Sequence, residues 1–330
     1  MISYLLAGDI GGTKTTLAIY ASEGSQPLVL VREAWFPSQY YEGVEPMLHG
    51  FLRSGKETIA AAALGLPGPV LEGEVQTTNL PWHVTTASVA QALECPRVRL
   101  MNDLETTAYG ALFLPAADIQ ILNVGVPRRG NRAVIAAGTG LGQAFLFWDG
   151  TQYHPVATEG GHVDFAPQTE QDLDLLRFLQ QQYGRVSYER LLSGPGLFNI
   201  FSYLAQGQQR PVEPSVRERL QQEDPAVVIG QAAVAGLCAT CEEAVQIFLR
   251  LYAAQAGNLA LTVMALGGVY IGGGMITKLL PRLNAGAFLH SFADKGRYAH
   301  FMTEIPVSVL LNPAASQLGA AHAARDLLTQ

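Results

Sequence analysis

Two glycine turns, each set between a pair of apolar strands, constrain this chain more than any other feature. The first runs from Tyr4-Leu5-Leu6-Ala7 through Gly8-Asp9-Ile10-Gly11-Gly12-Thr13-Lys14 and out along Thr16-Leu17-Ala18-Ile19-Tyr20. Strand, turn and strand make a hairpin, unlike the strand–loop–helix unit that binds dinucleotides. The arrangement returns about 130 residues later, a spacing far above solenoid repeat periods. There Ala133-Val134-Ile135-Ala136-Ala137 leads through Gly138-Thr139-Gly140-Leu141-Gly142 into Ala144-Phe145-Leu146-Phe147-Trp148. Two such hairpins suggest two related domains, each opening on a glycine turn. If both turns face one cleft, they hold the two ends of a polyphosphate.

The rest of the chain alternates strand and helix, which indicates α/β architecture. Ala60 to Leu66 reads as a buried strand ended by Pro67-Gly68-Pro69, and Arg97 to Met101 as another ending at Asn102-Asp103. Helices are expected from Glu105, over Glu170 to Tyr183, over Ser187 to Leu192 and from Ser316. A chain of 330 residues exceeds the usual size of a single core. The expected division is 1–112 with 313–330 as a smaller domain, and 113–312 as a larger one.

Charge narrows the partners. A net charge of −7 disfavours nucleic acid, whose phosphates need a basic surface. A small anion is still accessible to a nest of backbone N–H groups. Leu251 to Thr277 carries no charge and is long enough to span a bilayer. Its polar Gln255 and Asn258, its glycines and its change of period at Val269-Tyr270-Ile271 mark it as core, so no membrane association is expected. The opening Met1 to Ala7 lacks the basic start and the length of a targeting segment. Cys238 and Cys241 form a C-x-x-C with no second pair nearby to complete a zinc site; they read as small buried helix residues, reduced as in a cytoplasm.

Two familiar phosphate motifs are absent. Lys14 follows Thr13, so the P-loop pattern fails, and Gly138-Thr-Gly-Leu-Gly142 is too short for a Rossmann fingerprint. What remains is a grip in which Gly11, Gly12 and Thr13 on one side, and Gly138, Thr139 and Gly140 on the other, present N–H groups and hydroxyls. A carboxylate beside phosphates needs a cation between them, so Asp9 points to Mg²⁺ held directly or through water. Asp9 bonded to its own turn is the competing reading.

Asp9-Ile-Gly-Gly-Thr13, Asn102-Asp103, Gly138-Thr-Gly-Leu-Gly142, Glu159-Gly-Gly-His162 and Leu192-Ser-Gly-Pro-Gly196 stand in the order seen in bacterial glucokinases. Gly267 to Gly274 and Asp294-Lys-Gly-Arg297 continue the match, so nearly the whole chain resembles that family. The resemblance implies the two actin-like (ribonuclease H-like) domains of the sugar kinase, actin and heat-shock-protein superfamily, bracketing ATP. It implies Asp103 as the general base for the 6-hydroxyl of glucose, although Asp is also a good helix N-cap. It implies sugar contacts from Asn102, Asp103, Glu159, His162 and Glu189, with Asn79 a further candidate. Gly8, Asp9, Ile10, Gly11, Gly12 and Thr13 are the expected nucleotide contacts of the first turn, and Gly272, Gly273 and Gly274 offer bare backbone to adenosine. A related branch carries zinc-binding cysteines after the histidine; here Val163-Asp164-Phe165-Ala166-Pro167 follows, so no structural zinc is expected. A homodimer is expected from the same resemblance. Phosphorylation of another hexose, an ATPase that regulates a protein partner, and a sugar sensor without turnover are the alternatives.

Overall fold

The computed structural model describes residues 2–329. The strands of its two main sheets are β1 (Ser3–Ile10), β2 (Lys14–Ser22), β3 (Val29–Pro37), β4 (Ile59–Leu66), β5 (Val98–Asn102), β6 (Ile119–Asn123), β7 (Arg132–Ala137), β8 (Leu141–Trp148), β9 (Tyr153–Thr158), β10 (Gly268–Gly272) and β11 (Val307–Leu310). The first sheet has the order β3-β2-β1-β4-β5 and the second β9-β8-β7-β10-β11-β6. Each therefore places its opening hairpin beside two strands that run parallel to the first. The second sheet adds β6 antiparallel at its edge. The repeat suspected from two hairpins is thus a repeat of sheet topology. These are α/β units of mixed sheet and covering helices.

Contacts cluster into one unit of Met1–Asp118, Ala144–Thr158 and Asn312–Gln330, and a second of Ile119–Gln143 and Glu159–Leu311. Helices α1 (Asp103–Gly110) and α6 (Ala315–Asp326) belong to the first; α2 (Gly194–Ser202), α3 (Pro225–Val234), α4 (Ala239–Val263) and α5 (Gly274–Leu279) belong to the second.

In the first unit the period of two along β1 sorts side chains onto two faces. Leu6 and Ile10 join Leu17, Ile19, Met47 and Leu48 on one side. Leu5 and Ala7 join Ala18, Ala61, Ala63 and the alanines of α6 on the other. Alanine dominates that second face, beside Leu5, Tyr20 and Met101, so helices come close to it. Between the helices even a methyl is excluded: a Cβ on Gly110 would overlap the carbonyl of Ala315, and one on Gly319 would overlap that of Thr106. α1 and α6 therefore touch backbone to backbone.

The second unit is organised round α4, whose Ala244, Phe248, Tyr252 and Ala256 lie in the core. The helix begins at Ala239, twelve residues before the charge-free stretch opens at Leu251, and its polar outer face (Glu242, Glu243, Arg250) explains why a search for charge-free sequence misses that start. Cys238 caps it, its sulfur accepting from the Cys241 N–H at 3.3 Å, and both thiols are buried. The helix ends at Met264, which takes a left-handed conformation (φ 50°). Among the described residues no single helix is long and apolar enough to cross a membrane. Two further expectations need correction. The helix after β5 starts at Asp103, because Asn102 caps it. Ser187 to Leu192 makes only one 3-10 turn, Tyr188–Arg190, too short a stretch to sustain an α-helix before Ser193 caps the next one.

The backbone contact of α1 and α6 predicts that Gly319→Ala lowers unfolding stability by about 1–3 kcal/mol through overpacking. A urea midpoint equal to that of the wild type would contradict the contact.

Candidate active site

In the first unit, β1 delivers Asp9 to the end of the strand, on the same face as Leu5 and Ala7. The turn that follows is closed by the Gly11 N–H donating to the Lys14 carbonyl at 3.0 Å. Ser38 braces it from outside: its hydroxyl donates to the Gly11 carbonyl (2.7 Å) and lies 3.0 Å from the Thr15 hydroxyl. Its N–H donates to the Thr13 carbonyl at 3.1 Å. Asn79 packs onto the turn, its Cβ only 2.9 Å from where a Gly12 side chain would begin. Gly8 lies within the strand, pressed on Leu64, and Ile10 points into the core, so both present backbone alone. Burial raises the pKa of Asp9 above the usual carboxylate range; a hydrogen bond from Ser316 and the charge of Lys14 oppose that rise.

At the end of β5, the capping that sequence allowed to Asp103 falls to Asn102. Asn102 is the N-cap: its Oδ1 accepts from the Leu104 N–H at 2.8 Å, and its amide donates to the Gly68 carbonyl at 3.2 Å. The Glu105 carboxylate reaches back to the Asn102 N–H at 3.2 Å, completing a capping box. Arg99 pairs with Glu105 at 3.2 Å. Asp103 is therefore the first residue inside the helix, with Oδ1 2.8 Å from the Leu104 N–H.

In the second unit, Gly138 has open space where a side chain would go, whereas a Cβ on Gly140 would stand 2.6 Å from Glu189 Oε2. Glu189 accepts from the Leu141 N–H at 3.0 Å, so it is tied to this turn. Its Oε1 lies 3.9 Å from His162 Nδ1, and Glu159 Oε2 lies 3.9 Å from His162 Nε2. The imidazole thus stands between two carboxylates, all three groups reaching solvent. Gly161 permits the approach, since a Cβ there would overlap the Leu141 carbonyl.

A cavity of about 970 Å³ opens beside the same turn, lined by Gly138, Thr139, Pro195, Phe198, Gln231 and Lys278 among others. The N-terminal residues of α2, α3 and α5 also line it (Gly194, Pro225 and Gly274). Of the three glycines expected against adenosine, Gly274 lines the cavity. Gly273 instead packs on the backbone of Ala137 with φ 89°, and Gly272 ends β10.

Sequence reading gave no role to Tyr252, yet its hydroxyl holds the base of this site. It lies 3.0 Å from the Ile135 carbonyl and 2.9 Å from the Gly272 carbonyl, and accepts from the Ala137 N–H at 3.0 Å. It thereby fastens the end of β7 to the end of β10. A phenol in a charge-free helix must find a partner, and that was the available signal. Ser193 was legible too, as a Ser shortly before a Pro. It caps α2, while the Gly194 N–H donates to the Gly138 carbonyl at 2.8 Å.

Solved structures place the fold among sugar kinases with two actin-like domains. A glucokinase from an Antarctic psychrotroph is 28% identical with a TM-score of 0.85, covering 99% of this chain and 100% of its own. A ROK family glucokinase from Streptomyces griseus, solved with glucose and AMPPNP, is 19% identical with a TM-score of 0.64, covering 99% and 100%. The glucokinase of Nostoc punctiforme is 36% identical over 99% of this chain and 100% of its own length. A family model described as Glucokinase matches residues 6–327, and the chain belongs to that family.

The Tyr252 fastening predicts that Tyr252→Phe, which strands three backbone groups, costs about 1–3 kcal/mol of stability. Urea unfolding checks it: the midpoint should fall with an unchanged slope, and an unchanged midpoint would count against the fastening.

Proposed function

We propose that this chain transfers the γ-phosphoryl group of ATP to the 6-hydroxyl of glucose. Membership of the glucokinase family along residues 6–327 carries the reading. Asp103 fits the base because capping falls to Asn102, which leaves the aspartate at the mouth of the helix. The glucose O6 forms its bond to phosphorus as the bond from phosphorus to the β–γ bridging oxygen breaks. The electron pair leaves with ADP, and the 6-hydroxyl proton passes to Asp103.

The other residues bind and orient. Glu159, His162 and Glu189 present carboxylate and imidazole groups that bond sugar hydroxyls in pairs and penalise a misplaced one. Asn102 and Asn79 are further sugar contacts in this reading. The turns at Gly11–Thr13 and Gly138–Gly140, closed by the Gly11 and Gly138 N–H groups, offer their remaining N–H groups to phosphates, and the cavity beside Gly274 suits the nucleoside. Asp9, a carboxylate held at the end of β1, would hold Mg²⁺ through water. When bound, the ion neutralises phosphate charge, and one protein carboxylate suffices because Mg²⁺ retains waters and substrate phosphates as ligands. In this scheme residues 1–112 with 313–330 carry the first turn and the base, and 113–312 the second turn with the sugar and adenosine contacts. Three free, buried cysteines suit a cytoplasmic enzyme at the entry to glycolysis. A homodimer is the assembly we propose from the family resemblance.

A coupled assay for ADP with glucose, mannose, fructose, N-acetylglucosamine or no sugar tests the proposal. Turnover should depend on glucose, and Asp103→Ala should lose about 10²–10⁴-fold in rate while remaining folded. ATP hydrolysis that ignores both the sugar and the substitution would point to a partner-regulated ATPase instead.

A further inference from the structure

We propose that Thr106 and Ser316 are positioning residues, forming a buried hydroxyl chain that ties the Asp103 end of α1 to the carboxylate of Asp9. The roles of the two aspartates rest on the kinase reading above; the chain itself rests on geometry. Ser316 Oγ on α6 donates to Asp9 Oδ1 at 2.7 Å. Thr106 Oγ1 on α1 lies 2.9 Å from Ser316 Oγ and 2.7 Å from the Asp103 carbonyl. Three short links thus connect groups from β1, α6 and α1.

Burial makes the chain obligatory. Thr106 is fully buried and Ser316 is 6% exposed, and a buried hydroxyl without a partner is costly. The donors can be counted. An ionised Asp9 only accepts, so the Ser316 proton goes to it, and the Thr106 proton is shared between Ser316 Oγ and the Asp103 carbonyl. The Asp103 carbonyl also accepts from Thr107 Oγ1 at 2.9 Å. Every member is satisfied, which favours one arrangement over many.

The surroundings leave the chain little freedom. Gly65 on β4 is the floor beneath it: a Cβ there would stand 2.6 Å from Thr106 Oγ1 and 3.4 Å from Ser316 Oγ. The Gly110–Gly319 contact clamps the two helices one turn further along. A reacting group set on such a support keeps its position, and small misplacements at a transfer centre are expensive in rate. Hydroxyls at 106 and 316 therefore act on the step that Asp103 takes part in, rather than on sugar affinity.

Thr106→Val preserves shape and removes the hydroxyl, Thr106→Ser restores it, and Ser316→Ala breaks the chain from the other helix. Thr106→Val and Ser316→Ala should each lower kcat about tenfold while KM for glucose stays within about twofold. Thr106→Ser should keep kcat within about twofold, and the double variant should be no slower than the worse single one. Amide hydrogen exchange adds a readout independent of turnover: residues 102–108 should exchange faster in Ser316→Ala. Single variants with wild-type kcat, losses that multiply in the double variant, a Thr106→Ser enzyme as slow as Thr106→Val, or unchanged exchange at 102–108 would each overturn the proposal. If the exchange responds but the wild type shows no glucose-dependent turnover, the hydroxyl tie stands and the kinase reading fails.

Discussion

The contact of α1 with α6 through Gly110 and Gly319 sets the geometry on which the first unit depends. Two helices meet at their backbones only where neither carries a side chain, here over a sheet face rich in alanine. That closeness brings residue 316 to residue 9, which stand 307 positions apart in the chain. It also puts residue 106 within a hydrogen bond of residue 316. A leucine in place of Gly110 or Gly319 would move the helices apart and, with them, the strand-end carboxylate and the aspartate that opens α1.

The second unit solves a similar problem with different chemistry. Its glycine turn also follows the first strand of a hairpin, β7, and it too is held from behind by a group on a helix. Here the group is the Tyr252 phenol, fully enclosed, with burial pushing its pKa far above the usual phenol range. It stays neutral and bonds backbone atoms of two strands at once. Glu189 and the Gly194 N–H hold the turn from the other side. A turn built of glycines cannot rely on its own side chains, so neighbours supply the rigidity.

Much of this was legible in the sequence, and the reason is local. The hairpins show because a period of two and a run of glycines are readable within ten residues, and Glu170–Tyr183 shows because its capping Thr169 and its apolar spacing are local too. Ser38, Thr106, Tyr252 and Ser316 were not legible. Each is an ordinary residue whose partner lies far along the chain, and no spacing rule connects them. The start of α4 was hidden by its charged outer face. The cap of α1 was half legible: Asn and Asp both cap well, and the structure gives the task to Asn102, one position before Asp103. The cavity-lining ends of α2 and α3 carried signals in Ser193 and in Asp224-Pro225, and these could have been read as helix starts.

The central claim is a transfer to one oxygen of one sugar, and product structure tests it most directly. Phosphorus-31 NMR of a reaction containing the enzyme, ATP, Mg²⁺ and glucose follows the γ-phosphate to its destination. The account predicts a phosphomonoester resonance coupled to the two protons on carbon 6, growing as the γ-phosphate signal declines. Inorganic phosphate in its place, or an ester coupled to a ring proton, would contradict it.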